Sequence, residues 1–293
     1  MPKIDLRARR EEAAPELVPS ALFFPVKIRS LNNYPVILEG DQYTHPDMKM
    51  IVRTDTNNIM GTHGAVYRLV THERCFTAVN EAIYQSNINA NGIEFNDSMT
   101  HLGARAFRYY ECVQNTEVIV PNLTVALEIR VLNSYDGSLK FGYIASARKI
   151  GDTHGLTFGN SRMIAFGKHT TNISVPRIVR QLNSVIEEFR IEAESWRRWY
   201  QIPIDNHVAS TIFSRMPNSN EGIQSKLSTL FRRTAMEYGF NAWSVYKTLA
   251  KWASDPAMLS HAHRENADTI RIDREKRIRA CMASRQFQEM INV

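Results

Sequence analysis

Between Leu123 and Val131, side chains alternate along the chain: Leu123, Val125, Leu127, Ile129 and Val131 fall on one side, and Thr124, Ala126, Glu128 and Arg130 on the other. A period of two is the signature of a β-strand with one buried face; a helix with one buried side needs spacings of three and four. The strand runs into Asn133-Ser134-Tyr135-Asp136-Gly137-Ser138. Asp-Gly favours a tight hairpin turn, so 139–149 reads as the returning strand. A further strand is expected over 104–113, carrying Arg105, Phe107, Arg108, Tyr109 and Tyr110. An antiparallel sheet therefore sits at the centre of the fold.

The flanking pattern fills in the rest. Residues 50–54 and 65–70 read as a hairpin around a turn at Asp55, Asn57 and Asn58. Thr71 or His72 opens a helix that Asn91-Gly92 closes. Ser174 and Pro176 start a long helix to about Tyr200, with Ile178, Leu182, Val185, Phe189, Ala193, Trp196 and Trp199 on its apolar stripe. Pro203 ends it, and helices follow over 221–238 and 241–254, with Gly239 between them. Residues 1–20 read as a charged flexible arm. After Asp255-Pro256 acids and bases alternate, which predicts a solvated helix over 264–289, its Ile270, Ile278 and Phe287 too sparse for a core. Strands followed by helices predict an α+β fold: a largely antiparallel sheet, a long helix packed on it and a C-terminal helical subdomain. The expected boundaries are an arm at 1–20, a core domain at 21–201, a helical subdomain at 202–254 and a polar tail at 255–293.

A chain of 293 residues, 43% of them apolar, can bury a core without staples. Its three cysteines, Cys75, Cys112 and Cys281, are scattered, which argues for a reducing compartment and against a cysteine zinc site. No apolar run reaches the roughly 18 residues of a membrane span, and the N-terminus is polar, unlike a signal peptide. The expectation is a cytoplasmic protein without a membrane partner. A net charge of +6 permits an anionic partner without demanding one.

Sequence patterns for catalysis are absent. There is no phosphate-cradling glycine loop after a strand and no nucleophile elbow. His261 and His263 form a lone pair where a metal needs three or four ligands. His63, His72 and His154 lack a visible orienting partner. Asp97 followed by Glu128-Ile129-Arg130 approaches the pattern of a metal-dependent nuclease, but arginine stands where a lysine is needed. Glu128 and Arg130 read better as exposed neighbours on a polar strand face. No catalytic residue, metal or cofactor is assigned.

The basic residues are more telling. Arg105, Arg108, Arg130, Lys140, Arg148, Lys149, Arg162 and Lys168 lie in the sheet region or the loop after it, interleaved with Tyr109, Tyr110, Phe141 and Tyr143. Phosphates need cations and unstacked bases need flat rings. The candidate nucleic-acid residues are Arg105, Arg108, Tyr109, Arg130, Lys140, Tyr143, Arg148, Lys149, Arg162 and Lys168. Trp196 and Trp199 read as core, and Arg197 and Arg198 as outward.

Three motifs carry a family resemblance. Ile51-Val52-Arg53-Thr54-Asp55-Thr56 with Gly61, Tyr67 and Phe76, then Asn133 to Ser138, then Gly239 to Leu249, resemble in order the signatures of a phage/plasmid-like family of unknown function. Tyr135 stands where that family has histidine, and Gly159-Asn160-Ser161 lacks a cysteine common there. The resemblance implies a mobile-element origin. The element order is also similar to that of the phage single-strand annealing superfamily. The expectation is a phage-type single-stranded DNA-binding or strand-annealing protein of replication or recombination. It would self-associate and work with host or phage replication proteins in the cytoplasm of an infected bacterium. The alternatives are a protein-binding module that inhibits a host factor and the metal-dependent nuclease.

Overall fold

The computed structural model describes residues 20–31, 36–43, 47–150, 155–157, 164–167, 173–255 and 266–291. The fold is α+β. A small sheet of β1 (Val26–Ser30), β4 (Met48–Arg53) and β5 (Ile59–Gly64) precedes the main one, and β2 (Val36–Leu38) pairs with β3 (Asp41–Tyr43). The small hairpin is tighter than the expected one. Asn57 adopts a left-handed φ of 60° and the Arg53 N–H donates to the Asn58 carbonyl at 2.9 Å, so the return strand starts at Ile59. Residues 65–70 then leave the sheet.

Helix α1 (His72–Gln85) is capped by Thr71, whose hydroxyl accepts from the Arg74 N–H at 3.2 Å. It stops at Ser86, before the expected Asn91-Gly92, because Ser86 turns its own N–H and hydroxyl back onto the Ile83 carbonyl. The main antiparallel sheet runs β6 (Glu94–Thr100), β7 (Arg105–Val120), β8 (Leu123–Ser134) and β9 (Phe141–Lys149). Both β10 (Gly155–Thr157) and β11 (Ile164–Gly167) pair with β9. Among the described residues six α-helices follow α1: α2 (Val175–Tyr200), α3 (Asn206–Arg215), α4 (Glu221–Tyr238), α5 (Ala242–Ser254), α6 (Ala267–Met282) and α7 (Arg285–Ile291). Among the described residues no helix is long and apolar enough to cross a membrane.

The strand alternation sets up the layers. Leu123, Val125, Leu127, Ile129 and Val131 join Ala106, Tyr110, Tyr143 and Ala145 on one sheet face, against α1 and α2. This core takes in Trp196 and Trp199 and runs from Leu22 to Met290, through all the helices beyond α2. The other face carries Phe107, Tyr109, Leu132 and Ile144, and Ile272 of α6 packs onto it. That corrects the expected solvated tail: Arg271, Ile272, Glu275, Ile278, Cys281 and Met282 are buried on α6, as is Phe287 on α7. Two of the six buried α6 residues, Arg271 and Glu275, are charged, and they interrupt the apolar stripe that the sequence would otherwise display.

Candidate nucleic-acid interface

Each expected sheet residue can now be placed. Arg108 is fully buried under α1; its Nε and Nη2 each donate to Asp97 at 2.7 Å, and its guanidinium lies 4.3 Å from the Phe95 ring centre. Tyr143, on the same face, is buried and donates to the Gln181 carbonyl of α2 at 3.1 Å. Lys149 reaches Glu237 at 3.0 Å and the Tyr238 hydroxyl at 2.8 Å.

On the α6 face, Arg105 is bound to Asp136 at 2.6 Å and to the Thr269 hydroxyl at 3.3 Å. Tyr109 donates to Asp268, and the buried Arg130 pairs with Glu275. Arg148 bonds Glu128 at 3.0 Å and Glu111 at 3.3 Å. Lys140 is exposed in the turn before β9, and Arg162 and Lys168 lie outside the described residues.

The sheet therefore splits these residues between its two faces and covers both with helices. No open trough forms from Arg105, Arg108, Lys140 and Arg148 together. Glu128 and Arg130, expected as exposed neighbours, are both wholly buried. The strand residues that read as a polar face are a neutralised interior layer: carboxylates of the sheet and of α6 bind the cations that phosphates would need. Burial alone raises the Glu128 carboxyl, but Arg271, Arg148 and Arg130 outweigh it and hold it below the ordinary carboxylate range.

The nuclease pattern fares no better. Asp97 sits opposite Arg108 on the α1–α2 face, whereas Glu128 faces α6, so one cation cannot touch both. Among the described residues no cluster of three His, Cys, Asp or Glu side chains is placed to hold a metal.

Two of the resemblance motifs meet around the Asn133–Ser138 turn. His63 donates through Nε2 to the Tyr135 carbonyl at 2.6 Å and stacks on Tyr67 at 3.8 Å. The His72 backbone N–H donates to the Tyr135 hydroxyl at 2.9 Å. Asn133 Nδ2 lies 2.9 Å from His72 Nδ1, and His72 Nε2 lies 3.0 Å from the Gly103 carbonyl. That pairing fixes the neutral tautomer with its proton on Nε2. His101, Leu102 and Gly103 turn left-handed in succession, with φ of 54°, 57° and 96°. His63 and His72 thus have partners after all, and those partners hold the turn to the small sheet and to α1.

Among the described residues an open set of bases lies on α4, with the exposed Glu237 one turn beyond Arg233. Asn220 caps the helix by accepting the Ile223 N–H at 2.9 Å, and Gly239 ends it with a φ of 86°. Its buried stripe is Leu227, Leu230, Phe231, Thr234 and Ala235. Opposite stand the exposed Lys226, Thr229, Arg232, Arg233 and Met236. At about 100° per residue these fall within about a third of the helix circumference. No acid interrupts residues 222–236. Just past the helix, Phe240 is 48% exposed and braced edge-on by Phe231 at 5.8 Å. Arg277 of α6 fixes the α3–α4 connection by donating to the Pro217 and Asn218 carbonyls at 2.7 and 2.8 Å. Little in the chain signals this face, because α4 carries only three bases and the helical turn is what brings Lys226 to the side of Arg232 and Arg233.

Comparison with family models, with curated proteins and with solved structures finds no match to this chain.

Proposed function

We propose that the chain binds single-stranded DNA, in phage-type replication or recombination, along the exposed face of α4 rather than across the sheet. The observation that carries this reading is the α4 face on which Lys226, Arg232 and Arg233 stand exposed beside Met236, with the neighbouring Glu237 held by Lys149 and Phe240 half-exposed just past the helix. Lys226 and Arg233 lie two turns apart, about 10 Å along the axis, and can engage separate phosphates. Phe240 offers a flat ring to an unstacked base, which duplex DNA would not supply. Several copies along one strand give the expected self-association, and proteins of replication or recombination remain the expected partners.

The test is a salt titration with single-stranded and duplex oligonucleotides. Changing Lys226, Arg232 and Arg233 together to Gln should flatten the slope of log affinity against log salt by about 2, three phosphates at about 0.7 each. Phe240→Ala should weaken single-strand binding by about 1–3 kcal/mol and leave that slope unchanged. Absence of oligonucleotide binding by the intact chain at low salt would remove the proposal.

A further inference from the structure

Lys149, one of the bases expected to touch nucleic acid, closes β9 against the end of α4. Its Nζ donates to the Tyr238 hydroxyl at 2.8 Å and to Glu237 Oε1 at 3.0 Å, and it lies 5.2 Å from the centre of the Tyr238 ring. Tyr238 is buried, so the ammonium is anchored on the inner side before it meets the carboxylate. Glu237 is the more open partner, with 57% of its side chain exposed against 27% for Lys149. Lys247 of α5 also acts on Glu237, from within the core.

The position of Glu237 gives this contact a consequence. Apart from Glu221 at its first residue, Glu237 is the only acid of α4. It follows Arg233 by four residues, about one turn along the axis and about 40° around it. Phe240 comes three residues later, so a strand laid from Arg233 to the Phe240 ring passes beside this carboxylate. Residues four apart on a helix are neighbours, and Glu237 is therefore the natural ion-pair partner of Arg233. With the base before the acid, that pair takes the weaker of the two orders along a helix. Lys149, fixed by Tyr238 as well, takes the carboxylate instead, and among the described residues no acid pairs with Arg233.

On the α4 reading, on which this rests, we propose that Lys149 is a positioning residue: by holding Glu237 it keeps that carboxylate from capturing Arg233 and leaves the guanidinium for a phosphate. Lys149 then acts on binding without touching the nucleic acid.

The experiment measures single-strand binding against salt for the intact chain, for Lys149→Met, and for Lys149→Met combined with Glu237→Gln or with Arg233→Gln. Lys149→Met should weaken binding about fivefold at about 0.1 M salt and flatten the slope of log affinity against log salt by about 0.7, the share of one phosphate. Adding Glu237→Gln should restore the wild-type slope, because no carboxylate is left to capture Arg233. In an Arg233→Gln background the loss should vanish, whereas a lysine that bound phosphate directly would lose the same amount there. The Lys149–Glu237 contact is at the surface, so the variants should melt with the wild type. Lys149→Met binding as tightly as wild type, no rescue by Glu237→Gln, or an undiminished loss in the Arg233→Gln background would each overturn the role of Lys149 and leave the α4 surface standing. Absence of binding by the intact chain would remove both.

Discussion

Glu275→Ala should cost about 3–5 kcal/mol of folding stability, the loss expected when one partner of a buried ion pair is removed. The carboxylate is 1% exposed and holds two guanidiniums, Arg130 from the sheet and Arg271 from its own helix. Truncation leaves both cations buried, with only Glu128 still on Arg271. The dependence on pH follows from the same contacts. Burial raises the Glu275 carboxyl, but Arg130 and Arg271 outweigh it and bring it to about 2, against an ordinary value of 4.5. A depressed carboxyl stabilises the fold fully above its unfolded value, and that stability fades as pH falls through the folded one. The difference between wild type and Glu275→Ala should therefore be largest near neutrality and shrink steadily from about pH 4.5 toward 2. Urea unfolding of both proteins across that range measures it. A loss below about 1 kcal/mol at pH 7 would mean that the α6 layer is held by its apolar contacts alone.

That ion pair also marks the limit of what the sequence could disclose. Alternation over 123–131 located β8 and its inward face, the apolar spacing of 178–199 gave α2, and the Asp-Gly turn joined β8 to β9. Each of these rests on side chains that differ in hydrophobicity, which period and turn chemistry report well. The α6 layer adds charge against charge to its apolar contacts. Arg271 and Glu275 sit one turn apart on α6, and Glu128 and Arg130 sit two residues apart on β8; each pair reads as solvent-facing until the other is laid over it. Burial of paired charges is a property of two segments, more than 140 residues apart here, and no local window contains it. The candidate interface moved for the same reason. Basic residues in strands 105–149 are conspicuous in the chain, yet carboxylates of neighbouring strands, of the Asp136 turn and of α4 and α6 bind them. The bases of α4 were inconspicuous, yet the helix leaves them open.

Gly61→Ala should be among the most damaging small substitutions in the chain, while Gly64→Ala, three residues along the same strand, should be nearly silent. A methyl group on Gly61 would lie 2.3 Å from the Tyr135 carbonyl oxygen and 2.8 Å from the Asp136 Cα. Both obstacles are backbone, so no rotamer change relieves the clash; the small sheet must lift from the turn that closes β8 and β9. His63 would lose its bond to the Tyr135 carbonyl, and Ile51, fully buried, would be pulled from its place beside Tyr135. Overpacking of this kind costs about 3 kcal/mol or more when the surroundings cannot yield. For a chain of this size that lowers the melting temperature by roughly 6–12 °C. A methyl on Gly64 meets nothing within 4 Å, so its variant controls for the change in backbone freedom. Thermal unfolding of the two variants side by side separates the effects. Equal, small shifts in both would show that the small sheet does not rest on the Asn133–Ser138 turn, and that the close approach of Gly61 to Tyr135 is not a feature of the folded protein.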